Sequence, residues 1–177
     1  MGSTLLVAAI IVGGIVLFIL LFSLLHKKMQ EKKIESQKLK YKDLVGHQKL
    51  EISEKEEIND YVFGIDKINF ILLHMDFSQK KEEVTLVDLW DVKAVKLNTE
   101  ERRIYIPENG KFVPVEKQVL KLQLELILRD ADQPKHLLPF YHADKHNIQD
   151  LRGTKERAEY WRDITNNYLK ELPGILK

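Results

Sequence analysis

Six histidines, 27 acidic side chains and no cysteine set the limits of the chemistry this 177-residue chain can perform. Without a thiol there is no disulfide, no cysteine-ligated zinc, no iron–sulfur cluster and no thiolate nucleophile. The densest group of potential ligands is His142-Ala-Asp-Lys-His146, with His136 six residues upstream. Two histidines at i and i+4 share one face of a helix, the geometry zinc sites use, but the glutamate that follows the first histidine in metallopeptidases is missing. The segment also follows a strand and reads as a loop, so surface histidines are expected and a His-dependent metal enzyme is only a remote alternative. Asp88 with Asp91 and Asp130 with Asp132 are paired acids. Paired carboxylates perform acid–base work when their surroundings separate their pKa values. These pairs fall at turns and strand ends, where solvated aspartates normally sit. His74, between Leu73 and Met75 in an apolar run, is expected to be a buried structural histidine. Only eight glycines occur, and no phosphate-binding lysine loop or G-x-S-x-G turn is present. The expectation is a chain that binds and does not catalyse, with no cofactor.

The elements that would carry such a function divide into two materials. The overall composition, 44% hydrophobic with a net charge of +1, looks like one ordinary domain, but the average hides a concentration. Residues 4–25 contain 18 hydrophobic side chains and no charge. As a helix this run would extend about 33 Å, enough for a hydrocarbon core of about 30 Å. A cleaved signal peptide would need a basic leader and small residues at the cleavage point, and Ser23, Leu24, Leu25 and His26 do not supply them. Residues 27–42 then carry seven lysines and two glutamates, which orients the expected span with its N-terminus outside and the C-terminal domain in the cytoplasm. Lys27, Lys28, Lys32 and Lys33 are the residues expected to lie against the surface of the inner, cytoplasmic membrane.

Three regions are expected: an anchor over 1–25, a helical stalk or linker over 26–58, and a soluble domain over 59–177. Gly46 is expected to end the stalk helix, and Ser53 with Glu56 reads as a capping box for a short helix. The last region holds 19 basic and 20 acidic residues, a balance that argues against a nucleic-acid partner. Within it, 61–65 and 68–77 read as a first hairpin, and 84–95 as a second strand pair. Pro107 and Pro114 flank an Asn109-Gly110 turn in a ribbon suited to a sheet edge. Leucines at 120, 122, 124, 126 and 128 mark a strand with one buried face. Ala158, Trp161, Thr165, Tyr168 and Leu172 repeat at helical spacing, with Thr154 as the expected cap and Pro173-Gly174 as the stop. Trp90, Tyr160, Trp161 and Tyr168 are expected in the core.

About seven antiparallel strands followed by an amphipathic helix define an α+β chain. The run Tyr61-Val-Phe-Gly-Ile-Asp66, then 68–77, then Val84-Thr-Leu-Val-Asp-Leu-Trp-Asp-Val-Lys-Ala-Val-Lys-Leu97 resembles the opening strands of bacterial membrane-linked pleckstrin-homology-like (PH-like) domains. Ala158-Glu-Tyr-Trp161 is similar to the helix that plugs one end of their barrel. The resemblance spans roughly residues 60–172 and implies a PH-like antiparallel β-barrel or sheet, acting as a binding or scaffolding module. Two departures stand out: the 66–67 loop lacks the basic cluster of inositide-binding relatives, and residues 98–118 form an insertion. The functional expectation is a single-pass membrane protein that engages the bilayer and a protein partner or a second copy of itself. A lipid or small-ligand sensor is the alternative.

Overall fold

The computed structural model describes the backbone of residues 2–78, 83–108, 111–129 and 135–173, and their side chains except those of 2–14, 16, 26, 30, 33 and 108. It divides into two compact units, Met1–Lys49 and Leu50–Lys177.

The first unit is one helix, α1 (Gly2–Gln48). Its apolar stretch has no polar side: among described residues Ile15, Leu17, Phe18, Ile19, Leu20, Leu21, Phe22, Leu24 and Leu25 are all exposed, each more than half. The expected span at 4–25 falls in part on side chains outside the described residues, and among the described residues no helix is long and apolar enough to cross a membrane. The helix runs past Gly46 and stops where Lys49 turns left-handed at φ 53°.

The second unit is α+β. Among the described residues seven strands form two open antiparallel meanders, in the orders β1–β2–β3–β4 and β5–β6–β7. Neither sheet closes into a barrel, which corrects the closed form of the expectation and leaves the seven strands. The first sheet is built from β1 (Ile52–Ile58), β2 (Tyr61–Asp66), β3 (Ile71–Asp76) and β4 (Glu83–Asp88). The second contains β5 (Val92–Glu108), β6 (Lys111–Leu128) and β7 (Lys135–His142), and α2 (Leu151–Glu171) comes after it in the chain.

Two local expectations fail for identifiable reasons. Residues 52–58 form a strand and not a capped helix. Their inward positions 52, 54, 56 and 58 alternate with exposed 53, 55 and 57, and pairing with β2 outweighs the local capping signal. Asn59, left-handed at φ 55°, makes the two-residue turn between them; asparagine tolerates this conformation better than most residues. The segment 84–95 is not a strand pair. A 3-10 turn at Leu89–Asp91 divides it between the two sheets. The Asp88 carboxylate accepts from the Trp90 N–H at 2.9 Å, and the Leu89 N–H donates to the Phe70 carbonyl at 2.8 Å, which fixes that corner.

The core lies where both sheets meet α2. Leu122, Leu124 and Leu126 of β6 are buried, as their alternation predicts, together with Phe63, Ile65, Leu72 and Phe140. Phe63 stacks on Phe140 with centroids 4.2 Å apart and meets Trp161 of α2 at 5.4 Å. The helical stripe is inward as expected, with Ala158, Trp161, Thr165, Tyr168 and Leu172 all buried. Thr154 is not the cap; it lies buried within the first turn and shares the Asn59 side-chain amide with the Phe140 carbonyl. Trp90 and Tyr160 are not core residues, at 42% and 50% exposure.

Asp66 is the polar pin of the first sheet. Its buried carboxylate accepts from the N–H groups of Glu51, Ile68 and Asn69 at 2.8, 2.9 and 2.8 Å, and from the Asn69 side-chain amide at 2.7 Å. Burial works to raise its pKa, but these donors prevail and hold the carboxyl below its ordinary value. Asp66→Ala strands three backbone donors and is expected to cost about 3 kcal/mol in urea unfolding. Asp88→Ala, which removes one exposed cap, should cost about 1 kcal/mol; equal losses would refute this role for Asp66.

Candidate interaction surfaces

The histidine pair is held in one helical turn, with the N–H groups of Lys145 and His146 both donating to the His142 carbonyl at 3.0 Å. That turn does not make a metal site. The His142 backbone N–H donates to His146 Nδ1 at 2.9 Å, which occupies the lone pair a metal would use. The His146 side chain is only 5% exposed, contrary to the surface position expected for it. It packs between the rings of Tyr61 and Tyr141, with its Nε2 3.7 Å from an Asp60 carboxylate oxygen. Burial lowers its pKa, and His142 and Lys145 lower it further against the pull of Asp60. His74 is buried as expected, stacked on Tyr61 at 5.6 Å and edge-on to Phe63 at 4.7 Å. His136 lies apart on β7, opposite Leu126. Among the described residues no three His, Asp or Glu side chains gather as metal ligands. Of the paired acids, Asp88 serves as a cap, and Asp130 and Asp132 lie outside the described residues.

A cleft of about 510 Å³ runs between β1 and α2, lined by Glu54, Glu56, Arg157, Tyr160 and Trp161 among others. Glu54 and Glu56 are engaged in holding the helix to the sheet. Trp161 Nε1 donates to Glu56 at 2.7 Å, Tyr160 donates its hydroxyl to Glu54 at 3.0 Å, and the Arg157 guanidinium pairs with Glu56 at 3.2 Å. The Tyr160 hydroxyl pKa is raised, first by this bond to Glu54. The arrangement is a network that anchors α2 to β1.

Among the described residues of this unit, the insertion carries the most exposed apolar side chains. β7 stops accompanying β6 at the Lys121–His142 pair, so the β5–β6 hairpin continues as a two-stranded arm. Lys117–Glu101 at 3.3 Å, Lys121–Glu100 at 2.8 Å and Arg102–Gln118 at 3.0 Å join the strands near its base. Toward the tip the pairs Tyr105–Pro114 and Pro107–Phe112 share one face, and Ile106–Val113 the other. Phe112 is 76% exposed, and Tyr105, Ile106, Val113 and Val115 are exposed as well. The Asn109-Gly110 turn expected at the tip lies outside the described residues.

On α1, Lys27, Lys28 and Lys32 are exposed, while the Lys33 side chain lies outside the described residues. The four positions spread over roughly 240° of the helix circumference, a collar and not a single face.

Two further roles escaped sequence reasoning. Asn166 of α2 accepts from the Val95 N–H at 3.1 Å and donates to the Val95 carbonyl at 2.8 Å, so its amide takes the place of a neighbouring strand on β5. The Arg157 guanidinium likewise donates to the Glu57 carbonyl on β1 at 3.3 Å. Position on the polar flank of a helix is the only trace such residues leave in a sequence. No protein-family model, curated protein or solved structure matches the chain.

Proposed function

We propose that this protein is a single-pass membrane protein that presents a non-catalytic, PH-like interaction domain in the cytoplasm, on the inner face of the cell membrane. The observation that carries the reading is the continuous helix α1. It joins an uncharged 22-residue run, whose described side chains are all exposed and, Ser23 apart, apolar, to a lysine collar. A helix apolar all round needs an apolar medium, and a lysine collar on one flank sets its direction. The PH-like reading is supported by the order of a four-stranded meander, a three-stranded meander and a terminal helix. A non-catalytic role is supported by the use of Glu54 and Glu56 in holding α2. The arm, with Phe112 and Tyr105 at its exposed end, is the surface best suited to a protein partner, since aromatic anchors contribute heavily to interfaces.

The test is purification of the tagged full chain from its native membrane, with a reporter at Lys177. The chain should resist extraction by high salt, place the reporter in the cytoplasm and bring down a defined partner. Phe112→Ser with Tyr105→Ser should abolish that capture while shifting stability by less than about 0.5 kcal/mol each, as expected of exposed positions. Release by salt, or a reporter outside the cytoplasm, would overturn the anchoring; capture unchanged by the double substitution would overturn the role of the arm.

A further inference from the structure

A sheet edge exposes backbone N–H and C=O groups that bind any available strand, so folded domains obstruct their edges. In this domain the obstructions are specific. The β5 edge is met by the Asn166 amide at Val95, and the β1 edge by Arg157 at the Glu57 carbonyl. On β7, Pro139 lacks an N–H, and the Phe140 carbonyl accepts from Asn59 at 2.8 Å. In the arm, Pro107 and Pro114 interrupt the two strands, and register shifts at Glu100/Glu101 and Ile104/Tyr105 distort them. The remaining edge is β4. It contains no proline, lysine or register shift, and no described side chain hydrogen-bonds its outer backbone.

The ladder decides which groups point outward. The two-residue turn at Asn59-Asp60 makes Ile58 and Tyr61 a hydrogen-bonded pair, and alternation carries this pattern across the sheet. Thr85 and Val87 therefore bond inward to His74 and Leu72. The bonds from Phe77 N to Asp60 O and from Leu89 N to Phe70 O have this same phase. Val84 and Leu86 direct their N–H and C=O groups outward, and their side chains, at 42% and 38% exposure, are partly solvated beside them.

We propose that β4 is the site at which a second copy of this chain adds, antiparallel, across a twofold axis at Thr85. That register sets Val84 against Leu86 of the partner subunit and Leu86 against Val84 of the partner subunit. The two residues of each copy exchange four backbone hydrogen bonds and bury two apolar pairs. Thr85 faces the partner subunit's Thr85 as a non-hydrogen-bonded pair, which favours hydroxyl contact. Glu83 faces the partner subunit's Val87, so no like charges oppose each other within the five-residue overlap. The strand is thus complementary to itself, as a twofold interface requires. This names a partner for the interaction module proposed above and rests on that reading only in this respect; the geometry of β4 holds with or without the anchor.

The absence of cysteine makes the test direct. Thr85→Cys introduces one thiol per full-length chain. Non-hydrogen-bonded antiparallel pairs bring Cα atoms to about 4.5 Å, within disulfide range. Mild oxidation of the detergent-solubilised protein should convert it to a band at twice the monomer mass. Glu156→Cys, on the exposed side of α2, serves as the control and should stay monomeric. Leu86→Lys in the Thr85→Cys background should abolish the link while the tertiary circular dichroism stays unchanged. Cross-linking no faster at Thr85 than at Glu156, or insensitive to Leu86→Lys, would overturn the proposal even where anchoring and partner capture hold. Association through the α1 helices alone gives that second pattern and is distinguished by it.

Discussion

Trp161→Ala is expected to be the most damaging single substitution in the domain, at about 3–5 kcal/mol. The indole is 1% exposed and touches the Phe63–Phe140 stack from the helix side, so its removal opens a cavity at the junction of both sheets and α2. A second cost adds to this. Trp161 Nε1 is one of two donors to the Glu56 carboxylate, and its loss leaves that group with Arg157 alone. Trp161→Phe separates the two contributions, since it keeps most of the packing and deletes the hydrogen bond; its cost should be about 1–2 kcal/mol. Against a total stability of about 5–15 kcal/mol for a domain, the alanine variant should unfold at markedly lower urea. An alanine cost near 1 kcal/mol would show that α2 is not essential to the core.

Acid sensitivity centred on His74 is the second large effect. Burial lowers its pKa from 6.5 to about 4, against smaller upward contributions from the Pro139 carbonyl and Asp76. The folded state therefore holds the ring neutral where the unfolded chain would protonate it. Above pH 6.5 both states are neutral and the stability is full. As pH falls from 6.5 toward 4 the unfolded state gains a proton that the folded state refuses, and stability declines by about 3 kcal/mol in all. His146 shifts in the same direction, and Asp66, with a lowered carboxyl pKa, extends the loss to still lower pH. Urea midpoints measured from about pH 8 to about pH 4 should fall steeply in the parent. They should flatten in His74→Phe, retaining the slope due to His146 and, at the acid end, the onset of that due to Asp66. Parallel pH profiles for parent and variant would remove His74 from this role.

Where one face of an element is apolar and the other wet, the sequence and the structure agree. The leucine alternation of β6 and the stripe of α2 are periodic signals that burial alone produces. β1 was hidden because four of its seven residues are charged. Its glutamates at 54 and 56 face inward only because Tyr160, Trp161 and Arg157 arrive from about 100 residues further on to receive them. The split of 84–95 between two sheets turns on the Asp88 cap and the Leu89–Phe70 backbone bond, neither of which leaves a mark on hydropathy. His146 reads as a loop residue because its burial needs Tyr61, from a strand about 85 residues earlier, to close against Tyr141 beside it. For the candidate surfaces, the lysine collar and the proline-bearing ribbon were legible as composition. The open edge at β4 was not, since an edge is defined by which strands fail to arrive.

The amide of Asn166 serves β5 as a strand one residue long, and this ties the protection of that edge to a perishable functional group. Asparagine is among the thermolabile side chains. Hydrolysis of this amide would replace the donor facing the Val95 carbonyl with a negatively charged acceptor, converting a 2.8 Å bond into a repulsion. Aspartate keeps the shape and lacks the donor, and glutamine places its amide one methylene too far. The integrity of that edge is therefore a matter of age as well as of folding.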